Sequence, residues 1–292
     1  MQQSSLKQII TCICIPAALL SLAWLTGGSD TNTQTILIQC TFLTLMIHWI
    51  IGAISVALQT EKVFDITGTI AVWCMIAFIN NQTNTTAERG LILSSCCLLW
   101  TTRLGLFLLI RIHKHKKDRR FDQLKTNKYN FFNTWQLSAT WTLITLLSAL
   151  TAISSPQNAP MTTVDYSILS MWSLAFVTEA IADRQKMQFK TQKQNTPFIQ
   201  TGLWKYSRHP NYLAEITMWI CIAGLAYPNL FGSLYISLIS PIFVGVLLTR
   251  VSGINLLEEA SDKKYGHLKS YQRYKKNTPR LIPNPLYFIS KK

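Results

Sequence analysis

Residues 202–219 read GLWKYSRHPNYLAEITMW, a basic and polar approach that turns directly into an apolar run. Lys205, Arg208 and His209 lead to Pro210. Proline suits the first turn of a helix because its missing N–H would be unpaired there in any case. Beyond it, Asn211, Glu215 and Trp219 recur every four residues and share one helical face. A carboxylate inside an apolar helix is costly unless paired, and is read by default as functional. Two readings fit the stretch alone: a site at a membrane face, or a surface anchor in which Glu215 is matched to Arg208 or His209.

The rest of the chain repeats the pattern. Of 292 residues, 49% are hydrophobic and 14% charged, where a soluble protein carries about 25% charged residues. Apolar windows near the ~20 residues needed to cross a bilayer fall at 8–26, 35–59, 65–80, 89–112, 134–154, 163–183, 211–227 and 230–250. The expected fold is all-α: a polytopic integral membrane protein of about eight transmembrane helices, residues 1–292 forming a single membrane domain. The net charge of +15 is distributed by topology. Lys and Arg cluster at 111–128, at 184–208 and from Arg250 onward, while the loops 27–34, 81–87, 154–163 and 227–229 contain none. The positive-inside rule then places both termini in the cytoplasm. It leaves no need for a nucleic-acid partner; some attraction to the anionic headgroups of membrane lipids fits the charge better.

Other motifs weigh less. The seven cysteines all lie in apolar windows and read as packing residues. His48 reads as a packed or hydrogen-bonded histidine, and Asp65 as a helix cap. Arg103 sits about two turns inside the fourth window, where it either snorkels or faces a polar cavity. His113 and His115, in the basic run HKHKK, are solvated side chains and no metal site is expected. NQT and NTT at 81–86 match a glycosylation sequon without further support. Glu179, Asp183, Lys186 and Lys190 form one polar face, either an ion-pair ladder or a cavity wall. In the tail, Glu258, Asp262 and Tyr265 can share a face, and Tyr265, Tyr271 and Tyr274 recur among basic residues. Such tyrosines either stack on a nucleotide or anchor at the headgroups. Neither GxGxxG nor a P-loop is present.

Taken in order, WTTRL, DRR, EAIADRQK, GLWKYSRHPNYLAE, SGINLLEE and TPRLIP resemble a bacterial branch of the steroid 5α-reductase-like membrane oxidoreductases. The likeness covers about 65–285 and is most specific in the last hundred residues. It implies a cofactor-binding half at 178–285, two N-terminal helices of uncertain role at 1–62, and residence in a bacterial inner membrane. It also implies NADPH as cofactor and reduction of a carbon–carbon double bond in a steroid-like or other lipid substrate. Carried residue by residue, the implied cofactor contacts are Asp183, Lys186, Arg208, His209, Asn211, Tyr212, Glu215, Tyr265 and Tyr271. Tyr212 and His209 are the proton donors within reach. No pair in helices two to four aligns with the family's carbonyl-binding Glu and Tyr.

The C-terminal pattern is shared in part with isoprenylcysteine carboxyl methyltransferases and phospholipid methyltransferases. A transferase using S-adenosylmethionine on a lipid or isoprenylated substrate is therefore the alternative. Asn211 after the proline, Glu215 and EAIADRQK favour the reductase. A non-enzymatic carrier is a third reading, opposed by polar residues gathering at one membrane face instead of lining a midplane path.

Overall fold

A computed structural model describes residues 2–83, 87–115, 121–191 and 196–283, with side chains from residue 10 and none placed at 114–120. The sequon NTT at 84–86, the side chain of His115, the DRR triplet at 118–120 and the tail from 284 lie outside the described residues. Among those described the chain is all-helical, without strands. The helices are α1 (Gln2–Gly27), α2 (Thr31–Ala57), α3 (Phe64–Thr83), α4 (Glu88–His115), α5 (Lys128–Ser154), α6 (Thr163–Thr191), α7 (Pro210–Ala226), α8 (Ile239–Val246), α9 (Ile254–Tyr265) and α10 (Lys269–Asn277).

Six described helical runs are long and apolar enough to cross a membrane: five within α1 to α5, and the run Gly232–Tyr265. The windows at 163–183 and 211–227 also become helices, but α6 is not apolar enough over its length and α7 has only 17 residues. The last window, 230–250, is not one α-helix. It begins as a 3-10 segment, Gly232–Leu238, continues as α8 and loosens into a π-helical stretch, Leu247–Val251. Large apolar side chains face outward, Leu58, Leu174 and Ile242 among them, as lipid allows and water would penalise.

The chain divides into two compact units, Met1–Thr162 with Ile222–Ser240, and Thr163–Cys221 with Pro241–Lys292. In the first unit α5 is the central helix. Its apolar window is 72% buried, against 28–39% for those of α1 to α4, and each of those four helices packs on it. Gly52 lets α2 approach closely, since a Cβ there would stand 2.8 Å from Cγ of Trp135. Polar side chains in this unit largely bond to backbone. Thr142, Thr151 and Ser154 donate to the carbonyls of Ser138, Leu147 and Leu150, and fully buried His48 bonds the Thr44 carbonyl at 2.9 Å, as its sequence context suggests. Arg89, 1% exposed, donates to the carbonyls of Ala159, Leu225 and Pro160 at 2.8–3.0 Å. Asp65 lies in the first turn of α3, and its carboxylate pairs with Arg111 at 3.3 Å.

Candidate functional site

The polar stretch that opens α7 lies in the second unit, and four chain segments converge on it. The first is the end of α6. Asp183 is buried there and accepts from Nδ2 of Asn211 at 3.3 Å, tying α6 to the first turn of α7. Two residues farther on, Gln185 accepts the backbone N–H of Leu203 at 3.0 Å. The Lys186 ammonium stands 4.9 Å from the ring centroid of buried Trp204, whose indole N–H donates to the Ala182 carbonyl. Glu179 is buried on the same face, whereas Lys190 is exposed. The face is therefore buried at Glu179 and Asp183 and exposed at Lys190.

The second segment is Ser207–Pro210. Arg208 is anchored through its backbone N–H, which donates to the Pro279 carbonyl at 2.9 Å, and through Nη1 to the Lys275 carbonyl at 3.3 Å. Its Nη2 pairs with Oε2 of Glu258 at 3.3 Å, and Nε2 of His209 meets Oε1 of the same carboxylate at 2.9 Å. Glu258 thus holds both side chains, the Arg208 guanidinium and the His209 ring. Glu215 lies half-buried, more than one turn farther along α7.

Glu258 reaches this position because the third segment breaks before it. After the π-helical stretch the chain kinks at Gly253, where a Cβ would come 2.0 Å from the Leu248 carbonyl oxygen. Only glycine fits there, and π-type irregularities are frequent at functional sites. The fourth segment is α10. Lys275 bonds Asp262 at 2.6 and 2.8 Å and stands 3.9 Å from Glu258, while Tyr271 donates to Asp262 at 2.8 Å. Burial, reinforced by that carboxylate, raises the Tyr271 phenol well above its ordinary range. The network runs without interruption from His209 and Arg208 through Glu258, Lys275 and Asp262 to Tyr271.

The tyrosines are arranged differently from either sequence reading. Tyr265, Tyr271 and Tyr274 surround Phe198, with ring centroids 5.9, 5.3 and 5.4 Å away, and Tyr274 donates to the Trp204 carbonyl at 2.7 Å. They make a small aromatic core for α9 and α10. Tyr212 lies beside His209 with nearly parallel rings, 5.9 Å between centroids and 9° between planes. Next to the network an open groove of about 410 Å³ is lined by Asp262, Gly266, Tyr271, Gln272, Lys275 and Lys276.

Electrostatics set the state of His209. Burial lowers its pKa; the bond to Glu258 opposes this, and nearby Lys186 and Arg208 add to the lowering. A neutral ring bonded to a carboxylate through Nε2 carries its proton there, so Nδ1 is an acceptor. That Nδ1 is buried without a hydrogen-bond partner, as are Nε of Arg208 and Oδ1 of Asn211. Three unsatisfied polar atoms within four consecutive residues call for a ligand or bound water. Of the sequence-derived candidates, the structure brings Arg208, His209, Asn211, Asp183 and Tyr212 together, sets Lys186 against Trp204, and places Tyr265 and Tyr271 in the aromatic core. Glu258, Asp262 and Lys275 complete the network; the sequence sets Glu258 and Asp262 on one face of the tail but gives no link from them to Arg208 and His209.

No curated protein and no solved structure matches the chain significantly. Residues 48–278, most of the chain and all of this network but the first contacts of the tail, match a family described as a protein of unknown function, and the chain belongs to that family, DUF1295.

Proposed function

We propose that the protein is a membrane-embedded reductase that uses NADPH to saturate a carbon–carbon double bond in a steroid-like or other lipid substrate. The observation that carries this reading is the cluster of unsatisfied buried atoms at Arg208, His209 and Asn211. One donor and two acceptors fit a ligand offering phosphate oxygens together with hydroxyl or amide N–H groups. A nicotinamide dinucleotide has all of these. Its membership of a family associated with steroid 5α-reductase-like proteins supports the same reading.

In this proposal Arg208 Nε and Lys186 hold phosphate, and His209 Nδ1 and Asn211 Oδ1 accept from hydroxyl or carboxamide groups. Glu258 orients both Arg208 and His209, so that neither must be ordered when ligand arrives. Bound there, NADPH supplies a hydride to an electron-poor alkene carbon. A neutral His209 is suited to accept a hydrogen bond, which leaves Tyr212, beside it, as the better proton donor of the two. The outward stripe of Val164, Met171, Leu174, Val177 and Ile181 on α6 supports eight spans. The basic loops support cytoplasmic termini, and we assign the protein to a bacterial inner membrane.

The test is thermal stability of the detergent-purified chain with each nucleotide. A ligand that binds only the folded state at ~100 times its Kd adds about 2.7 kcal/mol. NADPH is expected to raise the melting midpoint and S-adenosylmethionine to leave it in place. A shift with S-adenosylmethionine alone hands the site to a methyltransferase, and a shift with neither overturns the nucleotide assignment.

A further inference from the structure

We propose that the first unit carries a binding site for one anionic phospholipid, in a groove between α1, α2 and α5. The groove has a volume of about 490 Å³, within the ~300–1,000 Å³ of small-ligand sites. Ile13 of α1, Ala53 and Val56 of α2 and Phe132 of α5 form apolar walls, and Lys128 and Tyr129 bring the polar groups. Its walls are fixed before any lipid arrives. Cys12 Sγ donates to Asn133 Oδ1 at 2.7 Å, joining α1 to α5, and Gly52 allows α2 to close on Trp135.

Charge selects the occupant. Lys125 is paired with Glu61 and Arg111 with Asp65. Lys128, by contrast, is exposed and has no carboxylate partner among the described residues; its ammonium lies 5.5 Å from the Tyr129 ring centroid. No acidic residue lines the groove. Lys128 is also the first residue of α5, so the positive end of the helix dipole adds to its charge. A phosphate oxyanion fits that end and an acyl chain fits the apolar walls, the pairing by which basic pockets between membrane helices hold anionic lipid. A zwitterionic headgroup would bring a second cation beside an unneutralised lysine.

The test is native mass spectrometry of the delipidated full-length chain, titrated with phosphatidylglycerol or phosphatidylcholine. The parent is expected to retain one phosphatidylglycerol in preference to phosphatidylcholine. Lys128→Gln should weaken that retention about fivefold, the worth of one lysine near an anionic headgroup. Ala53→Trp, at an exposed position, should block the groove and abolish retention with Lys128 intact. Lys62→Gln, outside the groove, should change nothing. Equal retention of the two lipids, or parental retention by Lys128→Gln, would mean ordinary annular lipid and overturn the proposal. So would stabilisation by inorganic phosphate equal to that by phosphatidylglycerol, because the acyl chain would then contribute nothing.

Discussion

The two units handle buried polar groups in opposite ways. In the first, hydroxyls bond carbonyls one turn back and the Arg89 guanidinium reaches three backbone carbonyls. In the second, charged side chains bond one another across four chain segments, and three buried atoms at 208–211 are left over. The first unit also leaves atoms unbonded, His48 Nε2, Trp49 Nε1, Ser55 Oγ and Thr145 Oγ1 among them, but they are spread over several helices and are not joined by a charged network. Polar groups that satisfy backbone serve insertion and packing, because lipid offers no other partner. Polar groups that order each other and still have bonding capacity to spare mark a place built for something else.

The strongest way to break this contrast is Arg89→Ala. It orphans three carbonyls at ~1–2 kcal/mol each, so stability should fall by about 3–5 kcal/mol. Nucleotide affinity of the protein that remains folded should not change. Equilibrium unfolding in mixed micelles, beside a nucleotide titration, reads both. A loss of affinity at unchanged stability would erase the distinction between a structural and a functional unit.

Glu258→Gln should cost less stability and more function. Removing the charge leaves Arg208 without its counter-ion and weakens the bond that the His209 ring donates, and a broken buried pair costs about 3–5 kcal/mol. The Glu258 side chain keeps 16% exposure, so about 2–3 kcal/mol is expected after discounting for solvent. NADPH affinity should drop as well, because the residues it orders are those assigned to the ligand. Early melting with parental affinity would reduce the network to a structural ion pair.

His209→Gln sharpens the comparison further. The glutamine amide can still donate to Glu258 from near the Nε2 position, but nothing replaces Nδ1. Stability should stay near the parent, while NADPH binding weakens by about 1–1.5 kcal/mol, the worth of one hydrogen bond. Unchanged affinity would remove Nδ1 from the site.

Much of the fold is legible in hydropathy because lipid imposes a length of apolar chain that few other constraints mimic. The windows at 65–80 and 89–112, short or interrupted by Arg103, become the full helices α3 and α4. Hydropathy says nothing about hydrogen-bond register, so the switch from 3-10 to α to π between Gly232 and Val251 is invisible in it. The RHPNY stretch declares itself through an abrupt change from basic to apolar. Its partner does not: Glu258 is 49 residues from His209, and no local period links them. Phe198 hides in a polar loop, so the tyrosines that pack around it read as a nucleotide platform or as headgroup anchors. What the sequence exposes is the change from basic to apolar at 208–211, and what it conceals is the packing behind it.

The smallest expected effect is a pH dependence confined to the second unit. Burial holds the folded-state pKa of His209 below its ordinary value of 6.5. Between those two values the unfolded chain binds the extra proton, so stability rises with pH there and is complete above about 6.5. Acidification through and below that value should therefore destabilise the chain, as an imidazolium is forced into a buried site beside Lys186 and Arg208. His209→Gln has no titrating group at this position and should lose that slope while keeping the acid sensitivity of the carboxylates at lower pH. Unfolding midpoints for parent and variant across the mildly acidic range decide it. A parental slope in His209→Gln would assign the effect to another group, and a parent that gains stability on acidification would mean His209 is charged in the fold, with Nδ1 a donor instead of the acceptor proposed for ligand binding.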